Sequence, residues 1–307
     1  MDNPNPEERT QGHLNELQAT LQMLASSPLS EESLASIRQA TDTLSSLSQT
    51  ILSNQEATAG AVRQAQEERN QFISHVTHEL RLPMTSIKGY TDLLRQGLAG
   101  PLNEQQLSFL DTIRNNVERM SALLSDLSDI SRIDGGRLKL DLGKVEIKES
   151  VATAMDSLHL IQEQKRQKIT VHLPAGLPPV WADPNRVNQI LTCLLRNAIM
   201  YTPEGGEITI RARPQDDEVS IQVKDAGIGI SLEDQARLFS PFFRSDEPAV
   251  REQHGWGLSL HLCARLVQMM GGEMGADSTP GSGSEFRFTL PQAKSPTSQE
   301  PGDGSPP

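Results

Sequence analysis

The sequence predicts a multidomain chain: an all-α helical hairpin, completed to a four-helix bundle by a second copy of itself, followed by an α+β domain on one mixed sheet with helices on one face. Three observations carry that prediction. Between Ile73 and Ile130 apolar residues recur at three- and four-residue steps, the period of a helix seam. Beyond residue 137 the recurrence shortens to alternation, the period of a strand. Between the two regimes lies Asp134-Gly135-Gly136, with glycines suited to a left-handed helix end.

Residues 1–66 are rich in Ser, Thr, Gln and Glu, with Leu14, Leu17, Leu21 and Leu24, then Ile37, Leu44 and Ile51, at heptad-like steps interrupted by Pro28. Two helices fit this pattern, and two readings of them stand side by side: a coiled-coil signalling segment paired with a partner chain, or a marginal amphipathic region with no sensing role. Residues 67–136 are the hairpin. Its first seam runs through Ile73, Val76, Leu80, Ile87, Tyr90 and Leu94, with Pro83 in one d position, so a long helix bent near Pro83 is expected. Residues 96–103 read as a turn. The second seam runs through Leu110, Ile113, Val117, Met120, Leu124 and Leu127, widened by Leu107, Leu123 and Ile130. Faces this apolar cannot be buried within one hairpin, whereas two copies enclose a core, so a homodimer is expected.

Residues 137–292 form the α+β domain. Strands are expected over 137–142, 168–173, 206–214, 218–225 and 284–290, with helices near 147–165, 184–200, 231–238 and 257–270. Residues 293–307 are rich in Pro, Ser and Gly without apolar spacing, which predicts a disordered tail.

A formal net charge of -12 argues against nucleic acid or an anionic membrane as partner, because neither would find a basic surface. No stretch approaches the ~18 apolar residues of a bilayer-spanning helix, and the polar start lacks the regions of a signal peptide, so a soluble cytoplasmic protein is expected. The two cysteines, Cys193 and Cys263, lie in apolar helical patterns and read as buried thiols.

The chemistry begins at His78. With Ile73, Leu80, Ile87 and Leu94 in position a, His78 takes position f and faces away from the seam. A neutral exposed imidazole keeps a lone pair and is a competent nucleophile, and Glu79 follows it as a base within reach. His75 lies on a neighbouring face, but two histidines without a third ligand make no metal site. Farther on, Asp225 ends an expected strand and is followed by Gly227 and Gly229, which let backbone approach a ligand. A carboxylate there accepts the exocyclic amino group of adenine and repels the carbonyl oxygen of guanine. Alone, this Asp-x-Gly-x-Gly pattern is weak, and a β-turn explains it better.

The segment FISHVTHELRLPMTSIKGYTDLL, residues 72–94, resembles the phosphoacceptor box of sensor histidine kinases, with His78, Glu79, Leu80, Arg81 and Pro83 at matching positions. QILTCLLRNAIMYTPEGG resembles the family's Asn-containing box, LFSPFFRSD its Phe-containing box, and HGWGLSLHLCARLVQMMGG its second Gly box. The resemblance covers nearly all of residues 67–290. It implies the α/β sandwich shared by gyrase, heat-shock chaperone, histidine kinase and mismatch-repair ATPases. It implies phosphorylation of His78 from ATP with Glu79 as base, and transfer to an aspartate of a separate response regulator. It makes Asn197 a Mg²⁺ ligand, with Asp225, Gly227, Gly229, Arg244, Gly255, Gly257 and Leu258 around the nucleotide and residues 243–256 as a lid. Arg244 reads either as a phosphate contact or as a solvated surface arginine.

The departures are specific. Cys193 stands where kinases of the family carry a first Asn and hydrolysing relatives a Glu, so direct ATP hydrolysis should be poor. Met200 replaces a frequent phosphate-contacting Lys, and His254, Trp256 and Ser259 replace small residues of the second Gly box. Leu82 replaces a Thr or Asn that positions water, which implies weak phosphatase activity. These departures support an alternative: a dimeric, ATP-binding signalling scaffold that does not phosphorylate itself.

Overall fold

The computed structural model describes residues 31–253 and 255–293. The expectations for residues 1–30, for His254 and for the tail from residue 294 lie outside the described residues. The chain divides into two compact units, residues 1–71 and 72–307. Every described residue of the first is helical.

Helix α1, Glu31–Arg95, is a single element where the sequence suggested two. Its only proline is Pro83, and nothing between Glu31 and the phosphoacceptor box stops a helix strongly enough to divide it. Helix α2, Glu104–Asp134, begins at a capping box: Asn103 accepts from the Gln106 amide at 2.8 Å and Gln106 accepts from the Asn103 amide at 2.9 Å. At its end Gly136, with φ 62, takes the left-handed conformation, while Gly135 stays at φ -87.

Within the hairpin only Met84, Val117 and Leu124 form a buried apolar cluster. Leu80, Ile87, Leu94, Ile113 and Met120, all seam residues, remain 38–43% exposed. Among the described residues, no helix is long and apolar enough to cross a membrane.

After the hairpin the chain forms β1 (Gly143–Val145), α3 (Ile147–Gln164), β2 (Lys168–His172), β3 (Val180–Ala182), α4 (Pro184–Tyr201), β4 (Glu207–Gln215) and β5 (Glu218–Asp225). It continues through the short α5 (Leu232–Gln235) and α6 (Pro248–Arg251), then α7 (Ser259–Met269), β6 (Met274–Thr279) and β7 (Gly283–Pro291). The main sheet has the order β2-β4-β5-β7-β6, parallel only between β2 and β4, and β1 pairs with β3 separately. Val219, Ile221 and Val223 alternate inward along β5 and pack with buried residues of α3, α4 and α7.

One strand expectation needs correction. Residues 137–142 join no ladder, and the amides of Arg137 and Leu138 bond back to the Arg132 carbonyl; pairing starts at Gly143. Their alternation serves another purpose, since Leu138 is buried in the main core, Leu140 packs on it, and the Asp141 amide donates to Asp183. Strands β3 and β6 lacked a sequence signal, the first being three residues long and the second Gly-, Ala- and Ser-rich.

Ile133 and Leu138 belong to the same core as α4 and β5, so the end of the hairpin is rooted in the α+β domain. The α7–β6 turn is tightly packed: a Cβ on Gly272 would lie 1.8 Å from the Thr289 carbonyl oxygen. We predict that Gly272→Ala destabilises this domain by about 2 kcal/mol or more, read as a lower urea midpoint.

Candidate functional site

His78 projects from α1 with its side chain 69% exposed, and its Nδ1 lies 3.5 Å from Glu79 Oε1. Glu79 accordingly favours the tautomer with the proton on Nδ1, leaving the Nε2 lone pair toward solvent. His75 and Leu82 are exposed on the same helix, and no group of three metal-ligating side chains occurs among the described residues.

The second feature is a cavity of about 1220 Å³. Helix α4 contributes Asn197, Met200 and Tyr201; Asp225 and Gly229 come from the end of β5 and its turn; Arg244, Gly255, Trp256 and Gly257 come from the lid. Gly227 and Leu258 are buried just behind this wall. His78 and Glu79 are not among the lining residues.

Asp225 is the buried acid of the cleft, 5% exposed, and accepts from the amides of Gly227 at 2.8 Å and Ser284 at 3.3 Å. Burial pushes its carboxyl above the usual aspartate range, against the lowering effect of those two hydrogen bonds. Gly227 is required sterically, since a Cβ would sit 2.6 Å from both Asp225 Oδ1 and the Tyr201 carbonyl oxygen. Gly257, at φ 69, would bring a Cβ to 2.3 Å from the Phe243 carbonyl oxygen. The backbone is thus packed to leave the cleft open beside Asp225.

These residues fit an adenine nucleotide: a buried carboxylate for the amino group, a cavity of ligand size, and an α7 start preceded by Gly255 and Gly257. For Mg²⁺, Asn197 offers one oxygen, which suits an ion that takes most of its ligands from phosphates and water.

Arg244 is occupied otherwise than the sequence suggested. Its guanidinium donates to the carbonyls of Val250, Gln253 and Gly255, so it clasps the lid around α6. The two thiols meet: Cys263 is buried, and its hydrogen bond with Cys193 together with burial pushes it well up.

Sequence reasoning missed the contacts that join α2 to the nucleotide domain. Asp129 receives a two-pronged ion pair from Arg186 at 2.7 and 3.3 Å, with side chains 11% and 19% exposed. Ser259 donates to Asp126 at 2.8 Å, and Arg265 lies 3.4 Å from Asp134. Asp126 and Asp129, three residues apart, share one helix face, a pattern that could have been noticed, but nothing local names their partners. Arg186→Ala leaves the buried Asp129 without its main partner. We expect it to lower stability by about 3 kcal/mol and to raise amide exchange at the end of α2.

Over residues 68–136 the chain matches the family described as "His Kinase A (phospho-acceptor) domain". Over residues 182–294 it matches "Histidine kinase-, DNA gyrase B-, and HSP90-like ATPase". It is 34% identical over 227 residues to the sensor histidine kinase WalK of Bacillus subtilis, covering 73% of this chain and 37% of WalK. The chain belongs to the histidine kinase family. Another member, histidine protein kinase DivJ of Caulobacter vibrioides, is 33% identical over 228 residues, covering 74% of this chain and 38% of DivJ. The chain therefore spans well under half the length of these relatives. Among solved structures it resembles full-length ShkA in complex with AMPPNP, with a TM-score of 0.63 and 27% identity over 73% of this chain and 46% of that one. It shares the fold of the Acinetobacter baumannii histidine kinase AdeS, with a TM-score of 0.51 and 24% identity over 71% of this chain and 98% of that one.

Proposed function

We propose that this chain is an ATP-dependent protein-histidine kinase that phosphorylates His78 and passes the phosphoryl group to an aspartate of a separate response regulator. The observation that carries the reading is the pairing, in one compact unit, of an outward-facing His78 oriented by Glu79 with a cleft built around the buried Asp225. Mg-ATP supplies the phosphoryl group, and the AMPPNP bound by ShkA supports an adenine nucleotide here. Asn197 holds Mg²⁺ in this reading; Asp225 selects adenine; Gly255, Gly257 and the start of α7 face the phosphates.

In the transfer, Nε2 of His78 forms a bond to the γ-phosphorus as the bond to the β–γ bridging oxygen breaks, and ADP leaves with that electron pair. The proton on Nδ1 passes to Glu79. Because His78 does not line the cleft, the nucleotide domain swings along the bundle between binding and transfer. The exposed seam of Leu80, Ile87, Leu94, Ile113 and Met120 supports a homodimer, in which a second hairpin covers it. Dependence on ATP fits a reaction on the cytoplasmic side.

The test is incubation of the purified chain with γ-labelled Mg-ATP, expected to give acid-labile, alkali-stable label. ATP binding without label would replace the kinase reading with the scaffold.

A further inference from the structure

We propose that Arg196 is the cation that binds the nucleotide's phosphates in this chain, supplying from one turn earlier in α4 the charge that residue 200 lacks. The inference rests on the ATP reading above.

At 3.6 residues per turn, positions 196, 197, 200 and 201 share one face of a helix, and all four of these side chains line the cleft. Met200 brings a neutral thioether to that face, with no donor for a phosphate oxygen. Arg196 lies about 6 Å away along the axis, within reach of a long, exposed guanidinium stem, and on the same face.

The charge balance of the cleft makes that cation necessary. Its described lining holds five carboxylates, of Glu118, Asp126, Asp225, Asp234 and Glu247, against three guanidinium groups, of Arg119, Arg196 and Arg244. Arg244 is engaged with three lid carbonyls. Glu118, Arg119 and Asp126 belong to α2, so their charges do not travel with the nucleotide domain when that domain swings, which leaves Asp225, Asp234 and Glu247 against Arg196 and Arg244. Arg196 sits next to Asn197 on the element that carries the nucleotide.

An independent observation marks the anion-accepting end of the cleft. The Asp126 carboxylate accepts the hydroxyl of Ser259, the first residue of α7; burial raises the Asp126 carboxyl overall, and the Ser259 hydrogen bond and the nearby Arg196 charge oppose that rise. A carboxylate from the hairpin therefore already stands where Arg196 and the amino end of an eleven-residue helix converge. A triphosphate offers the same charge and the same acceptor chemistry. When ATP binds, its phosphates take over Arg196 and Ser259 from Asp126.

The test is calorimetric titration of the full chain with Mg-ATP and, separately, with adenosine, for wild type, Arg196→Gln and the double variant Arg196→Gln/Met200→Lys. Arg196→Gln is expected to weaken Mg-ATP binding by about tenfold to a hundredfold and leave adenosine binding unchanged. The double variant recovers most of the lost ATP affinity, a rescue that a merely structural role for Arg196 would not give. Unchanged ATP affinity in Arg196→Gln, an equal loss for adenosine, or no recovery in the double variant overturns the assignment and leaves the ATP reading standing. A wild-type chain that binds neither ligand overturns both.

Discussion

His78→Gln reduces the acid-labile, alkali-stable label from γ-labelled Mg-ATP to background while Mg-ATP affinity stays at the wild-type value. A glutamine amide has its nitrogen lone pair delocalised into the carbonyl, so nothing at position 78 can form the bond to phosphorus. The side chain is 69% exposed and lies 3.5 Å from Glu79, itself exposed, so the change should move stability by no more than about 0.5 kcal/mol. Label surviving in this variant would identify another acceptor and sink the assignment of His78. Loss of label together with loss of ATP binding would point to misfolding, which the calorimetric measurement separates from the chemistry.

Asp225→Asn removes the charge on which purine recognition depends, and Mg-ATP affinity should fall by about tenfold to a hundredfold. Both backbone amides donate to Oδ1, which the amide oxygen of asparagine can replace, so its NH2 falls at the Oδ2 position and meets the adenine amino group donor to donor. The same residue gives a pH signature. Burial raises the Asp225 carboxyl above its ordinary value, so on acidification it takes up a proton earlier than an exposed aspartate would. Wild-type ATP binding therefore weakens as pH falls through that raised value. Folding stability responds in the opposite sense: the folded state holds the proton more tightly, so this group's contribution is full below the unfolded pKa and is lost as pH rises through the folded one. Asparagine does not titrate, and titrations at several pH values should find that the Asp225 component of both responses disappears in the variant. An unchanged pH profile of ATP binding in Asp225→Asn would rule out the carboxylate as the recognising group.

The hairpin was legible in the sequence because a helix seam repeats and its period is local. The outward placement of His78 followed from the same register. Residues 137–142 were misread because alternation reports which side chains are buried, and Leu138 and Leu140 are buried or packed against the core without any ladder there. Strand β6 was missed because its hydrogen bonding comes from β7 alone and its Gly, Ala and Ser residues carry no strand preference of their own. The clasp made by Arg244 was out of reach, since a guanidinium that can bind phosphate can equally bind three carbonyls, and only the lid's course decides between them. The Arg186–Asp129 pair was hidden for a simpler reason: 57 positions separate its members, and no period links them.

Pro83 lies inside α1, five positions after His78, and has no amide hydrogen to give. The acceptor it would have served is the carbonyl of Glu79, so the main chain carrying the His78 imidazole lacks one rung of its ladder while the turns on either side keep theirs. A rod weakened at a single rung yields there first. In the proposed transfer the imidazole can therefore tilt to meet the phosphorus while Met84, next to Pro83, stays packed with Val117 and Leu124.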